Sequence, residues 1–252
     1  MHLVIDIGNT NIVFALIEQN LVINKWRIST DSKRTSDEYK LWLSNIFENF
    51  KTIEDIILGS VVPGITEEIK TACISLYKKK VFVMNEDLEI LFPSEVVNKI
   101  EIGTDRLVNS LAAWYFYKMP SIIIDFGTAT TFDVVDKRGI YVGGVICPGI
   151  NLSLKTLYLA AARLPRITVT RPNKVIGNTT VLAMSSGIYY GYVGLIQYII
   201  EKITFELGYK TKIILTGGLA NLFSKDINKN CVVEKNLTIQ GLSLAFQKHR
   251  GS

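Results

Sequence analysis

An Asp-x-Gly signature closes an apolar run twice in this chain, at Asp6 and again at Asp125, nearly half the chain length apart. The segment Leu3-Val4-Ile5-Asp6-Ile7-Gly8-Asn9-Thr10-Asn11-Ile12-Val13-Phe14 reads as strand, tight turn, strand, because apolar β-formers flank a Gly-Asn pair. Ile122-Ile123-Ile124-Asp125-Phe126-Gly127-Thr128-Ala129-Thr130-Thr131-Phe132-Asp133 repeats the plan with a Thr-rich turn. Self-similarity at this interval is what two similarly folded domains in tandem produce. We place the division after Lys118, giving domains 1–118 and 119–252.

Between and after the hairpins, helical and strand periodicities alternate, which predicts an α/β fold with mixed sheets. Thr35-Ser36-Asp37-Glu38 matches a capping box, and Tyr39, Leu41, Trp42, Ile46 and Phe47 continue at helical spacing, predicting a helix to about Phe50. Ile56–Val62, closed by Pro63-Gly64, and Lys80–Met84 read as strands. Ile188–Leu207 reads as a long amphipathic helix, and Lys212–Thr216 as a buried strand leading into Gly217-Gly218. Hydrophobic residues at 48% supply enough apolar side chain for real cores.

Composition excludes several classes of function. The formal charge of +5 is scattered, its densest run being Lys78-Lys79-Lys80, so no basic stripe with interleaved aromatics points to nucleic acid. Cys73, Cys147 and Cys231 are odd in number and far apart, which fits a reducing cytoplasm rather than a disulfide framework or a zinc site. The N-terminus lacks the basic leader of a signal peptide, and no apolar stretch approaches the roughly 18 residues of a membrane span.

Phosphate recognition needs closely spaced backbone N–H donors, and Asp6-Ile7-Gly8-Asn9-Thr10 has the chemistry of a turn whose Gly and Asn accept the positive φ that aims amides inward. Asp6 would repel phosphate unless it holds a hydrated magnesium ion bridging nucleotide oxygens. Read singly, the motif is equally an ordinary hairpin turn. Its repetition at Asp125, with Thr128, Thr130 and Thr131 adding hydroxyls, suggests two turns that grip one phosphate chain from both sides. Gly103-Thr104-Asp105-Arg106 precedes a helical pattern, with Thr104 as N-cap and Asp105 in the first turn. Arg106 opposes the helix dipole there unless it binds an anion. Gly143-Gly144 through Pro148-Gly149, and Thr216-Gly217-Gly218, read as further Gly-rich turns where backbone can approach a flat ligand such as adenine. His2 and His249 take no role.

Taken together, Asp6–Asn11, Ser60-Val61-Val62-Pro63, Gly103–Arg106, Asp125–Thr131 and Gly143–Gly149 resemble the type III pantothenate kinases, of the acetate and sugar kinase, chaperone ATPase and actin superfamily, over nearly the whole chain. The resemblance implies two tandem ribonuclease H-like (actin-like ATPase) domains with an inter-domain ATP cleft, and ATP-dependent phosphorylation of pantothenate in coenzyme A synthesis. It implies an ATP phosphate loop at Asp6, Ile7, Gly8, Asn9, Thr10, Asn11, Ile12 and Val13, with Thr128 as a further ATP contact. It implies Asp105 as catalytic base, and Gly103, Thr104, Asp105, Arg106 and Thr180 as pantothenate contacts. It also implies magnesium, a monovalent cation (potassium or ammonium) held by Asp125, and a homodimer. Val96 stands where the family often carries a tyrosine, and Lys99 near its usual proline. A sibling kinase with another acceptor, and a non-catalytic regulatory homologue of the same fold, are the rival readings.

Overall fold

The computed structural model describes residues 1–47, 53–98, 101–161, 163–227 and 230–251. Phe50 and Lys99, on which two of the expectations fall, lie outside the described residues. The first half of the chain runs β1 (His2–Ile7), β2 (Asn11–Glu18), β3 (Leu21–Ser29), α1 (Ser36–Phe47), β4 (Asp55–Ser60), α2 (Pro63–Tyr77), β5 (Val81–Val83) and α3 (Thr104–Tyr117). The second runs β6 (Ser121–Phe126), β7 (Ala129–Val135), β8 (Tyr141–Pro148), α4 (Ile150–Ala160), α5 (Thr180–Leu207), β9 (Lys212–Gly217), α6 (Ala220–Ile227), β10 (Val232–Val233) and α7 (Leu237–Arg250).

The two halves share one plan. Each sheet has five strands, ordered β3-β2-β1-β4-β5 in the first and β8-β7-β6-β9-β10 in the second. In both, an antiparallel three-stranded meander is extended by two parallel strands. Asp6 pairs with Val13 and Gly59, and Asp125 pairs with Thr131 and Thr216, so both signature aspartates occupy the same place in their sheets.

Two compact units result: Met1–Pro93, Val97–Tyr115 and Asn236–Ser252 in one, and Ser94–Val96 with Phe116–Lys235 in the other. The chain passes to the second unit at Phe116 and returns to the first at Asn236, so α7 belongs to the first unit.

In the first unit, alternation on β1 sends Leu3, Ile5 and Ile7 into a buried cluster with Tyr39 and Leu43 of α1 and Ile65 and Ile69 of α2. The reciprocal capping box forms at the start of α1: Thr35 N–H donates to Glu38 Oε2 at 2.8 Å, and Glu38 N–H to Thr35 Oγ1 at 3.4 Å. On the other face α7 lies so near that a Cβ on Gly59 would stand 2.5 Å from Leu242 Cδ2. A Cβ on Gly241 would stand 2.2 Å from the Val108 carbonyl oxygen of α3, so the small residue sets the α3–α7 approach. In the second unit Ile122, Ile124 and Phe126 of β6 pack with Leu154 of α4, Tyr189 and Ile196 of α5, and Phe223 of α6.

Three local expectations are corrected. The strand expected over Ile56–Val62 ends at Ser60, and Pro63 does not merely close it but opens α2 in its first turn, where a missing N–H costs nothing. The long helix begins at Thr180 rather than Ile188, because Thr179 Oγ1 accepts the Leu182 N–H at 3.3 Å and caps a turn whose side chains are polar and exposed as well as apolar. Gly143 and Gly144 lie inside β8 rather than in a turn; Gly143, at φ 126°, absorbs the register shift against β7 between Val134 and Val135.

Candidate active site

In the first unit the expected residues gather at the carboxyl ends of β1, β4 and β5, the edge where open α/β sheets bind ligands. Gly8 N–H donates to the Asn11 carbonyl at 3.0 Å and closes the turn. Thr30, just past β3, fixes the turn from outside: its Oγ1 donates to the Gly8 carbonyl at 2.6 Å and its N–H to the Thr10 carbonyl at 3.0 Å. Neither Gly8 nor Asn9 takes positive φ, so the turn is shaped by these bonds and not by left-handed backbone. Asn9 and Thr10 are exposed, whereas the side chains of Ile7 and Ile12 are in the core, leaving only their backbone to a ligand. Beside the turn, Val61 N–H donates to the Ile7 carbonyl at 3.1 Å, and Ser60 Oγ accepts from Val62 N–H and Thr66 Oγ1 at 2.9 and 2.7 Å.

The start of α3 differs from the expected cap. Gly103 holds the cap position, its carbonyl accepting from Arg106 and Leu107 N–H at 3.1 and 3.3 Å. Thr104 is buried, and its Oγ1 accepts from Asn85 Nδ2 at 3.0 Å. Asp105 Oδ1 accepts the Arg106 N–H at 2.9 Å and folds back over Gly103, where a Cβ would stand 2.5 Å from it. Burial raises the Asp105 carboxyl above the ordinary range, opposed by that Arg106 N–H and the Arg106 charge. A carboxylate less well solvated than usual, next to an arginine, suits a proton acceptor for a hydroxyl on an anionic molecule.

In the second unit the corresponding turn is two residues long, with Gly127 N–H donating to the Ala129 carbonyl at 3.0 Å. A Cβ on Gly149 would stand 2.1 Å from the Thr128 carbonyl oxygen, so the backbone before α4 lies directly on the turn. Tyr192 OH of α5 donates to the Pro148 carbonyl at 3.0 Å and fixes that backbone in turn. Asp125 faces Gly217, the end of β9 at φ 87°, where a Cβ would come within 2.5 Å of Asp125 Oδ1. The glycine lets the end of β9 pack tightly against the Asp125 carboxylate and the Phe126 backbone, where any side chain would collide.

Thr180 is exposed at the first position of α5, on an element separate from the turn. The segment leading to it is tied down at several points. Arg171 makes two bonds to Asp226 of α6, Nε to Oδ2 at 2.6 Å and Nη2 to Oδ1 at 3.0 Å, and Tyr189 OH donates to the same Oδ2 at 2.7 Å. Ser185 Oγ donates to the Thr170 carbonyl at 3.2 Å, Tyr190 OH to the Pro172 carbonyl at 3.2 Å, and Ser186 Oγ to the Val175 carbonyl. Val96 N–H donates to Ser94 Oγ at 3.1 Å. Sequence reasoning missed Thr30, Asn85 and the Arg171–Asp226 pair; of these only Asn85, a turn-type residue at a strand end, carried a local signal.

Among the described residues no group of three or more His, Cys, Asp or Glu side chains could form a metal cage. A divalent ion would therefore be held by few carboxylates together with nucleotide and water, the habit of magnesium, and Asp6 at the end of β1 fits that requirement. Among the described residues no helix is long and apolar enough to cross a membrane.

The fold and these turns define the class: an α/β protein of the actin-like ATPase and sugar-kinase fold. A Streptomyces griseus ROK family glucokinase, solved with glucose and AMPPNP, superposes with a TM-score of 0.54 at 11% identity, covering 98% of this chain and 99% of that one. A Campylobacter jejuni protein assigned to the Baf family of transcriptional activators superposes at 0.63 with 21% identity, covering 99% and 100%. The family model of the type III pantothenate kinases matches residues 2–202. Type III pantothenate kinases of Acidiphilium cryptum and Paramagnetospirillum magneticum are each 47% identical, over 97% and 96% of this chain and 93% and 95% of theirs. The chain belongs to the type III pantothenate kinase family, whose activity is the phosphorylation of pantothenate in coenzyme A synthesis.

Proposed function

We propose that Asp105 is the base of this reaction and that Gly103, Thr104, Arg106 and Thr180 contact pantothenate. Asp6, Ile7, Gly8, Asn9, Thr10, Asn11, Ile12 and Val13, with Thr128, hold ATP. The observation that carries the reading is the Asp105 carboxyl, raised by burial, folded over Gly103 and flanked by Arg106. The pantothenate hydroxyl oxygen bonds to the γ-phosphorus as the bond to the bridging oxygen breaks; the proton passes to Asp105 and ADP leaves. Arg106 holds an anionic end of the acceptor, and the turn amides orient the phosphates. Asp6 would hold magnesium, which would neutralise phosphate charge, and Asp125 would hold a potassium or ammonium ion.

The protein acts in the cytoplasm as a homodimer. Support for the dimer comes from large apolar side chains left exposed in the second unit, among them Leu159, Val181, Leu182, Tyr198 and Phe205.

Asp105→Asn tests the reading by ADP release with ATP, magnesium and pantothenate. The expected outcome is turnover lower by about two or more orders of magnitude, the scale of a lost general base. Because the raised pKa means that ionisation of Asp105 costs the folded state stability above that pKa, the variant should melt no lower than its parent at neutral pH. For the parent, the acid limb of kcat/KM should lie above the ordinary carboxylate range. Parent-like turnover in the variant would remove Asp105 from the mechanism.

A further inference from the structure

Asn85 follows β5 in a left-handed conformation, φ 65°, a backbone that Asn and Gly accept more readily than other residues. The turn is built without its side chain. Met84 N–H donates to the Leu58 carbonyl at 2.8 Å, Asn85 N–H to the Leu88 carbonyl at 2.8 Å, and Val83 N–H to Asp87 Oδ2 at 2.9 Å. The residue is exposed, so no packing of the core demands an amide there. Glycine would serve the backbone equally well. What asparagine adds is Nδ2, and that atom donates to Thr104 Oγ1 at 3.0 Å.

Thr104 in turn opens α3 beside Asp105, with a cap residue, Gly103, that has no side chain to hold the helix start. The amide thus supplies from the end of β5 the side-chain restraint that the cap cannot. We propose that Asn85 is a positioning residue for the phosphoryl acceptor: it fastens Thr104, and through it the Gly103–Arg106 segment, to the carboxyl edge of the first sheet. The inference rests on the reading that this segment binds pantothenate and carries the base. Asn85 itself touches neither reacting atom.

The discriminating variant is Asn85→Gly, which keeps the left-handed turn and deletes only the amide. Full-length enzyme should melt close to its parent and keep its KM for ATP. Its kcat/KM for pantothenate should fall about five- to tenfold, the scale of one neutral hydrogen bond. Thr104→Val, which removes the same bond together with a proposed pantothenate contact, should lose at least as much, and the double variant no more than Thr104→Val alone. An unchanged kcat/KM for pantothenate in Asn85→Gly overturns the proposal. Equal losses for ATP and pantothenate with a lowered Tm overturn it too, because they mark a structural residue. Additive losses in the double variant show that Asn85 does not act through Thr104 and also overturn it. Asp105→Asn assayed alongside separates the two levels: if it stays active, the site reading fails, whereas an inactive Asp105→Asn beside a parent-like Asn85→Gly sinks only the role of Asn85.

Discussion

The two signature turns begin from the same Asp-x-Gly sequence and end in the same sheet position, yet each is stabilised differently. The turn at Gly8 spans three residues and is braced by Thr30, whose hydroxyl donates to the Gly8 carbonyl and whose N–H donates to the Thr10 carbonyl. The turn at Gly127 spans two and is held by backbone against backbone, Gly149 resting on Thr128 where no Cβ can enter. Repetition of a motif thus preserves the strand pairing that makes the turn, while the support around it differs. A hydroxyl restraint yields gradually when removed. A steric one fails abruptly when filled.

Three substitutions would break or sharpen that contrast. The largest effect is expected from Gly149→Ala, whose new methyl would have to displace the Thr128 carbonyl from 2.1 Å. Overpacking of about 1–3 kcal/mol predicts a Tm lower by several degrees and a KM for ATP raised roughly ten- to hundredfold; a parent-like KM for ATP would show that this turn does not hold nucleotide. Next is Gly217→Ala, which combines a strained φ of 87° with a Cβ 2.5 Å from Asp125 Oδ1. Stimulation by potassium over sodium should shrink or vanish in this variant, and unaltered stimulation would place the cation elsewhere. The smallest is Thr30→Val, which deletes one hydroxyl bond of 2.6 Å and should raise the KM for ATP about two- to tenfold. An effect as large as that of Gly149→Ala would erase the distinction between the two supports.

Local chemistry was legible where a few neighbouring residues decide the structure. The hairpins follow from apolar runs around Gly8 and Gly127, and the capping box of Thr35 and Glu38 forms as its spacing requires. The start of α3 was legible, but not its cap, because Thr104 Oγ1 is taken by Asn85, a partner that only the β4–β5 pairing brings near. Thr30 escaped notice for a similar reason, its partner being set by the β2–β3 register. Gly143 looked like a turn residue because a strand bulge and a turn ask the same of glycine. Positive φ was expected at Gly8 and Asn9 of the phosphate turn, and neither takes it, because the Thr30 bonds and the Gly8–Asn11 bond already shape that turn. The return of α7 to the first unit had no local sign, since its evidence is the fit of Gly241 on Val108 and of Leu242 on Gly59.

That return has a consequence for synthesis. Residues leave the ribosome in order, so all of the second unit emerges before Leu237, Leu242 and Phe246, which are buried within the first. The β1–β5 sheet therefore waits, with the face that Gly59 presents to Leu242 uncovered, while the later unit is made. The domain translated first is the one completed last, and the nascent chain carries an exposed apolar sheet face for the time needed to translate the second unit.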